Sequence, residues 1–412
     1  MDGLARLPRR GPLSWALVLI LCPCLLAGPR QSVAGPSVNA PVTTTYSLSA
    51  SWQMVGHDAG QSYADAVGSI APTSLPFLHV RWQATGQTPR IEAAGLVYTL
   101  SADGHVSALD AVRGTVRHQY QSSNVQGLAL RGPLIYLNRR SEIRIVAAAT
   151  ADWTHSATDS AGTQAAAFDS FVLSGGTLFT GVGPDSASTL SRYYAFDANT
   201  GKQLWQRSGS FSSVPCVADG IVFLGFGGMG TGDSYLLDSA TGAVRKVLKN
   251  LGTAQWHAAG GSIYASILRG GGSSLRASIR AYDRFGNVKW TAHDILFGAA
   301  LPGTLFGITP GAVDARSAID GHRLWKSLIP GLQSVGLGSL VVTGNLVLVQ
   351  AVDGRISILD REDGHLLRVL KPPFSGSAAG DLIVGGGIIF ESLSQPKSGA
   401  KAGQSVLLAF GP

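Results

Sequence analysis

The sequence is poor in glutamate and in charge overall. Four of its 412 residues are Glu, against 21 Asp, and charged residues make up 14% of the chain, compared with about 25% in a typical soluble domain. The low charge excludes a disordered polyelectrolyte, which combines many charges with few apolar residues. Because Glu favours helices and Asp favours turns, the imbalance indicates an all-β chain with many tight turns.

Cysteine and recognisable catalytic motifs are scarce as well. Of the three cysteines, Cys22 and Cys24 lie in an N-terminal apolar segment, which leaves Cys216 beside the apolar run 217–224. A single cysteine cannot form an internal disulfide, so we interpret Cys216 as a small buried hydrophobe. No His-x-x-x-His pair and no Gly-x-Ser-x-Gly elbow occurs. We therefore predict no catalytic residue and no metal ligand.

Residues 1–34 have the layout of a secretory signal peptide. Three arginines occur among the first ten residues, an apolar run spans residues 13–27, and small residues precede a cleavage point at Ala34. The apolar run is shorter than the roughly 20 residues that span a membrane. The sequence therefore predicts a secreted or extracytoplasmic protein with no transmembrane domain after cleavage. The alternative is a membrane-anchored protein in which the segment is retained.

The residues after the signal segment carry little net charge. Removal of residues 1–34 takes away four arginines and one aspartate, which lowers the formal net charge from +7 to +4. No basic stripe with interleaved aromatics occurs, so nucleic acid is not expected as a partner. Lipidation is disfavoured because Leu21 and Pro23, which precede Cys22 and Cys24, are not the small residues that a lipobox needs. Residues 35–50 are rich in Ser, Thr and Pro and are typical of a stalk.

A strand motif opened by glycine recurs through the rest of the chain. A Gly, one variable residue and a short apolar or aromatic run occur eight times, with spacings of 37 to 44 residues, or about 42 per unit. Such runs predict buried strands. They begin at Gly95, Gly132, Gly176, Gly220, Gly261, Gly303, Gly344 and Gly387.

A hairpin follows most of these strands. Its clearest copy is Tyr194-Ala-Phe-Asp197-Ala-Asn-Thr-Gly201-Lys-Gln-Leu-Trp205, in which Asp and Gly form the turn between two strands. We interpret the recurrent tryptophans of the second hairpin strand as packing residues between blades. They are Trp82, Trp153, Trp205, Trp290 and Trp325.

The two termini supply the halves of the last hairpin. The final strand, Leu407-Leu-Ala-Phe410, stops where its turn would begin, and His79-Val-Arg-Trp82 provides the missing partner. Units of this size are typical of propeller blades. The sequence therefore predicts an all-β, eight-bladed β-propeller with four-stranded blades over residues 51–412, closed by pairing of the N- and C-terminal strands in one blade.

The hairpin pattern resembles the pyrroloquinoline-quinone-type repeat, and the segment Trp52-Gln-Met-Val-Gly-His-Asp58 resembles the opening segment of such proteins. The resemblance implies one of two classes. Large quinoprotein dehydrogenases bind pyrroloquinoline quinone and calcium, with an adjacent cysteine pair on the cofactor and acidic and Asn residues on the metal. Smaller members, such as the outer-membrane assembly lipoprotein of the Bam complex, are binding scaffolds. The chain lacks a Cys-Cys pair, so the scaffold class is favoured and no cofactor is expected, with the quinone-dependent dehydrogenase as the alternative.

Some connections between a glycine-led strand and the next strand are long. They are residues 181–192, 225–233, 268–277 and 392–404, and they emerge on one face of the ring. Loops on a rigid scaffold are common binding sites, so we expect a protein or polysaccharide partner of the cell envelope there. The candidate binding residues are Arg192, Arg269, Arg276, Lys397 and Lys401.

Overall fold

The computed structural model describes residues 52–412 with thirteen gaps. The gaps are residues 55, 66–67, 121, 140–141, 149–152, 159–167, 183–190, 210–213, 226–231, 252, 271–275, 333–338 and 396–403. The predicted signal peptide and stalk, residues 1–34 and 35–50, lie outside the described residues. The part of the chain that is described contains no helix long and apolar enough to cross a membrane.

The described chain begins with β1 (Ala64–Asp65), a 3-10 helix (Pro72–Phe77) and β2 (His79–Thr85). Four blades of four antiparallel strands follow. Blade 1 contains β3 (Gln87–Ala93), β4 (Leu96–Ser101), β5 (Val106–Asp110) and β6 (Val116–Tyr120); blade 2 contains β7 (Val125–Arg131), β8 (Leu134–Arg139), β9 (Glu142–Ala147) and β10 (Trp153–Thr158); blade 3 contains β11 (Phe168–Ser174), β12 (Thr177–Val182), β13 (Ser191–Asp197) and β14 (Gln203–Gly209); blade 4 contains β15 (Cys216–Ala218), β16 (Ile221–Leu224), β17 (Ser234–Asp238) and β18 (Val244–Leu248).

The second half of the ring repeats this plan, with additions in blades 7 and 8. Blade 5 contains β19 (Thr253–Ala259), β20 (Ser262–Arg269), β21 (Arg276–Tyr282) and β22 (Val288–His293); blade 6 contains β23 (Leu296–Leu301), β24 (Thr304–Thr309), β25 (Ala312–Ser317) and β26 (Arg323–Leu328); blade 7 contains β27 (Leu340–Thr343), β28 (Leu346–Gln350), β29 (Ile356–Asp360) and β30 (Leu366–Leu370), with β1 parallel to β27; blade 8 contains β31 (Ser377–Ala378), β32 (Ile383–Gly385), β33 (Ile388–Ser394), β34 (Ser405–Gly411) and β2.

The first strands of neighbouring blades contact each other in a closed circuit, from β3 through β7, β11, β15, β19, β23, β27 and β32 back to β3. The first strand of each blade therefore lies at the ring axis and the fourth at the rim. Because each blade reverses direction three times, the connections between second and third strands emerge on the same side as those between blades. We call this side the loop face and the opposite side the turn face.

Blade 8 joins the two chain ends. Strand β2 pairs antiparallel with β34, in a register that sets Val80 opposite Phe410 and Trp82 opposite Ala409. The predicted eight-bladed ring, with its closure by the terminal strands, is confirmed.

Tryptophans join successive blades, as predicted. In the four rim strands whose tryptophan side chain is described, the indole N–H donates to a backbone carbonyl in the turn between the third and fourth strands of the next blade. The four bonds run from Trp82 to Ala111 (3.0 Å), from Trp205 to Ser239 (2.9 Å), from Trp290 to Ala318 (3.1 Å) and from Trp325 to Arg361 (2.9 Å). The Trp205 ring packs against Gly242, which has φ +68°, and a Cβ there would lie 2.7 Å from the ring. The Trp153 side chain lies outside the described residues.

Two cations take the place of tryptophan in other blades. Lys246 of β18 donates from Nζ to the carbonyls of Phe285 (3.0 Å) and Gly286 (2.9 Å) in the next blade. Arg368 of β30 donates to the carbonyls of Leu75 and Leu78, ahead of β2. Blades 4 and 7 are thus joined to their neighbours through charge-assisted hydrogen bonds to backbone carbonyls.

Aromatic residues of the second strands fill the space between blades. The residue three positions after the leading glycine is buried in all six blades where it is aromatic. These residues are Tyr98, Phe179, Phe223, Tyr264, Phe306 and Phe390. The core is therefore a series of layers between adjacent sheets, which matches the buried strands that the repeated motif predicts.

Candidate functional site

Residues 52–65, here called the axial segment, lie against the inner edges of the first strands. The inner strand of a blade has one unpaired edge, and its buried N–H groups need acceptors. Backbone N–H groups of six blades donate to carbonyls of the axial segment. The bonds run from Glu92 to Trp52 (3.1 Å), Leu130 to Gln53 (2.8 Å), Val217 to Ala59 (2.7 Å), Ala258 to Gly60 (2.7 Å), Ala300 to Ser62 (2.9 Å) and Val342 to Tyr63 (3.2 Å).

The donors of these bonds lie near the turn between the first and second strand of each blade. The axial segment therefore crosses the ring axis at its turn-face end. Its backbone is tightly wound, because the non-glycine residues His57, Gln61 and Tyr63 have φ values of 78°, 55° and 53°. Such conformations persist where the surrounding structure dictates them. Asp58 supports the winding by accepting the Ser62 N–H at 3.1 Å.

His257 holds the axial segment from blade 5. Its Nδ1 lies 3.0 Å from the Gln61 carbonyl oxygen, and its ring stacks on Phe297 with centroids 3.7 Å apart. Burial lowers the pKa of His257 to about 4, against the opposing effects of the Gln61 carbonyl and Asp58. The imidazole is therefore neutral near pH 7 and serves as a hydrogen-bonding and stacking group.

Buried and partly enclosed charges lie on the adjoining strands of blades 1 and 8. Burial raises the pKa of Glu92 to about 7, while the Gly95 N–H, 3.3 Å away, opposes the shift. Asp381, before β32, is open to solvent on one side, but the protein around it raises the pKa of its carboxylate, and Arg90 partly offsets that effect. Burial also raises the pKa of Tyr63, and Asp381 adds to the effect. Tyr63, Arg90 and Asp381 therefore form one electrostatic group.

A second buried acid bridges blades 7 and 8. Glu391 on β33 is fully buried and accepts a 2.9 Å bond from Gln350 Nε2 at the end of β28. Its Oε2 has no hydrogen-bond partner among the described residues. Burial raises the pKa of Glu391 to about 8, with the Gln350 bond opposing. The acid is therefore largely protonated at neutral pH.

Two of the predicted binding residues face each other on the loop face. Arg269, the last residue of β20, is the register partner of Arg276, the first residue of β21. Both side chains are exposed, and Arg269 Nη2 donates to the Asn250 carbonyl at 3.2 Å. They differ from the prediction in being strand residues, because hairpin pairing continues further than the sequence indicates.

Arg280 extends this group along β21. It lies four residues from Arg276, so both project from the same face of the strand. Burial raises the pKa of Tyr282, and both Arg280 and Arg269 oppose that shift, which places the two guanidinium groups near one hydroxyl. We call Arg269, Arg276 and Arg280 the arginine cluster.

The other predicted binding residues are separate. Arg192, the second residue of β13 in blade 3, is partly buried and pairs in register with Val182 and Ser208. It therefore lies two blades away from the arginine cluster. Lys397 and Lys401 lie outside the described residues.

Sequence reasoning missed the buried acids and the role of the axial segment. Glu391 follows the apolar run of β33, and Glu92 precedes the glycine-led strand of blade 1. A charged residue inside an apolar strand was the available signal. The hydrogen bonds of the axial segment use backbone atoms, which leave no signature in residue type.

Comparison with known proteins agrees with this fold. A family model described as outer membrane protein assembly factor BamB matches residues 139–326. No curated protein matches the chain. The match and the eight four-stranded blades together support a propeller similar to those of the pyrroloquinoline-quinone-repeat type.

Solved structures of two kinds share the fold. BamB from Moraxella catarrhalis has 17% identity and a TM-score of 0.56, over 80% of this chain and 99% of that one. The quinohemoprotein alcohol dehydrogenase ADHIIG from Pseudomonas putida HK5 has 12% identity and a TM-score of 0.62, over 87% of this chain and 80% of that one. Quinohemoprotein alcohol dehydrogenase from Comamonas testosteroni has 12% identity and a TM-score of 0.62, over 89% of this chain and 81% of that one.

Proposed function

We propose that the protein is an extracytoplasmic binding scaffold whose loop face takes an anionic protein partner. The observation that carries the proposal is the pairing of Arg269 with Arg276 across one hairpin end. Like charges directly opposite each other on neighbouring strands destabilise a sheet. A carboxylate-rich partner would relieve this repulsion, and the guanidinium fork suits carboxylate geometry.

The extracytoplasmic setting rests on two supports. One is the signal-peptide layout of residues 1–34. The other is the similarity to a family described as an outer membrane protein assembly factor. N-terminal sequencing of the protein from a fractionated native host tests the proposal: a mature N-terminus near residue 35 supports it, and an intact chain in the cytosol contradicts it.

The residues present do not fit a quinone with calcium, which the dehydrogenase class would require. In place of a cysteine pair, the chain has Cys216, whose Sγ lies 3.4 Å from the Gly60 carbonyl oxygen, and burial raises the pKa of this thiol. Within the described ranges, no three His, Cys, Asp or Glu side chains form a group that could hold a metal. We propose that the protein works without this cofactor. A calorimetric titration with quinone and calcium tests this proposal. Saturable heat with a dissociation constant below about 1 μM would overturn it.

The arginine cluster gives a direct test of the binding proposal. We expect a double variant, Arg269→Ala with Arg276→Ala, to bind a labelled oligo-glutamate peptide at least about tenfold more weakly at low ionic strength, a loss of about 1.4 kcal/mol. Its melting temperature should not fall below that of the parent, because both residues are exposed and the variant also removes their mutual repulsion.

The matched control is Arg284→Ala, which removes an exposed arginine from the turn face of the same blade. It should bind the peptide as the parent does. Equal binding by the parent and the double variant would place the partner elsewhere and overturn the proposal.

A further inference from the structure

A groove runs over the loop-face end of blade 1, away from the arginine cluster in blade 5. Its volume is about 790 Å³, within the roughly 300–1,000 Å³ of small-molecule sites. All four strands of the blade contribute to its lining. We call it the blade-1 groove and define it by Gln87, Ser101, Asp103, His105, Ser107 and Gln119.

Neutral polar side chains form a row across this sheet. Gln87 of β3 pairs in register with Ser101 of β4, and Ser107 of β5 pairs with Gln119 of β6. Side chains of directly opposed residues project from the same face of a sheet. Ser107 also pairs with Thr99, two residues before Ser101, so both pairs share one face. The row therefore presents two amides and two hydroxyls together.

One amide of the row is held in place by its neighbour. Thr99 donates from Oγ1 to Gln87 Oε1 at 2.7 Å. This bond orients the Gln87 amide and leaves its NH2 group, with two donors, for a ligand. Gln119, at the rim strand, is exposed. The groove thus has a fixed polar group near the axis and an accessible one near the rim.

The charges of the groove are compensated within the protein. Asp103 accepts from the Ser101 hydroxyl, and its other oxygen lies 3.3 Å from His105 Nε2. Arg139, which also lines the groove, lies 3.5 Å from Glu142 and donates to the Ser123 carbonyl at 3.0 Å. A charged ligand would have to compete with these contacts, whereas a neutral one would not.

We propose that the blade-1 groove binds a neutral, hydroxyl-rich ligand, namely a saccharide. Sugar hydroxyls both donate and accept, and they match a row of amides and serine hydroxyls. The site is independent of the anionic protein partner proposed above.

Two neutral trisaccharides, chitotriose and cellotriose, serve as probes in saturation-transfer NMR and calorimetry with the full chain. We expect at least one trisaccharide to bind saturably. We expect Gln119→Ala to weaken that binding by about fivefold, the effect of one ordinary hydrogen bond. The matched control, Gln203→Ala, removes an exposed glutamine from the rim strand of blade 3 and should leave binding unchanged.

Three results would overturn the proposal. They are failure of both trisaccharides to bind, equal binding by Gln119→Ala and the parent, and preference for a sulfated heparin disaccharide over the neutral probes. Because Gln119 is exposed, its variant should have the melting temperature of the parent. The melting curve therefore identifies any loss of binding that misfolding causes. None of these outcomes bears on the arginine cluster, whose own variants report on it separately.

Discussion

At the scale of single residues, the buried carboxyl of Glu391 makes the stability of the ring sensitive to pH. The pKa of Glu391 is about 8 in the folded chain, against an ordinary value of 4.5. A carboxyl with a raised pKa keeps its proton in the folded state over a range where the unfolded chain has lost it. Its effect on stability is therefore most favourable below about pH 4.5 and diminishes as pH rises toward about 8.

We predict that Glu391→Gln removes this dependence, because the amide keeps the shape and has no charge to bury. The variant should gain stability relative to the parent as pH rises from about 5 to about 8, by a few kcal/mol at about 1.4 kcal/mol per pKa unit. Urea unfolding at several pH values measures the difference. The control is Glu362→Gln, an exposed acid of blade 7. A constant difference between Glu391→Gln and the parent across this range would contradict the assignment.

At the scale of elements, the rim strand of one blade is hydrogen-bonded to the turn between the third and fourth strands of the next blade. The position of this contact is the same in these blades, but the side chain that makes it differs. An indole makes it in four described blades, and Lys246 makes it between blades 4 and 5. The Lys246 ammonium donates three bonds, to the carbonyls of Phe285 and Gly286 and to Asn287 Oδ1 at 3.0 Å. One ammonium group thus satisfies three hydrogen-bond acceptors of this turn.

We predict that Lys246→Met destabilises the protein by about 1–3 kcal/mol, since it removes these bonds while keeping the apolar stem. Lys289→Met, an exposed substitution on the rim strand of blade 5, should change stability by about 0.5 kcal/mol or less. Chemical denaturation of both variants makes the comparison. Equal midpoints would show that the lysine contacts do not hold the two blades together.

The sequence revealed the features that repeat and concealed those that occur once. Glycine-led strands and recurrent tryptophans predicted the blade plan, because each blade must bury the same face against its neighbour. The Arg269 and Arg276 pair could be named as candidates, but their direct opposition depends on how far the hairpin extends. The row from Gln87 to Gln119 could not be predicted, because strand register sets it and no repeat of composition marks it.

At the scale of the whole molecule, closure of the ring joins the first and last blades in one register. Strand β34 lies between β33 and β2, and so binds the last blade to the start of the propeller. Its residues Val406 to Phe410 are buried. Removal of this strand would leave β2 without its partner and uncover apolar side chains, and an open strand edge promotes aggregation.

The most direct test of the closed ring compares the melting temperature and soluble yield of two truncations. Deletion of residues 405–412 removes β34, and deletion of residues 35–50 removes twice as many residues from the predicted stalk. We predict that the C-terminal deletion aggregates or becomes protease-sensitive, while the stalk deletion melts with the parent. If the protein without residues 405–412 stays soluble and melts within a few degrees of the parent, closure by the terminal strands does not hold the propeller together.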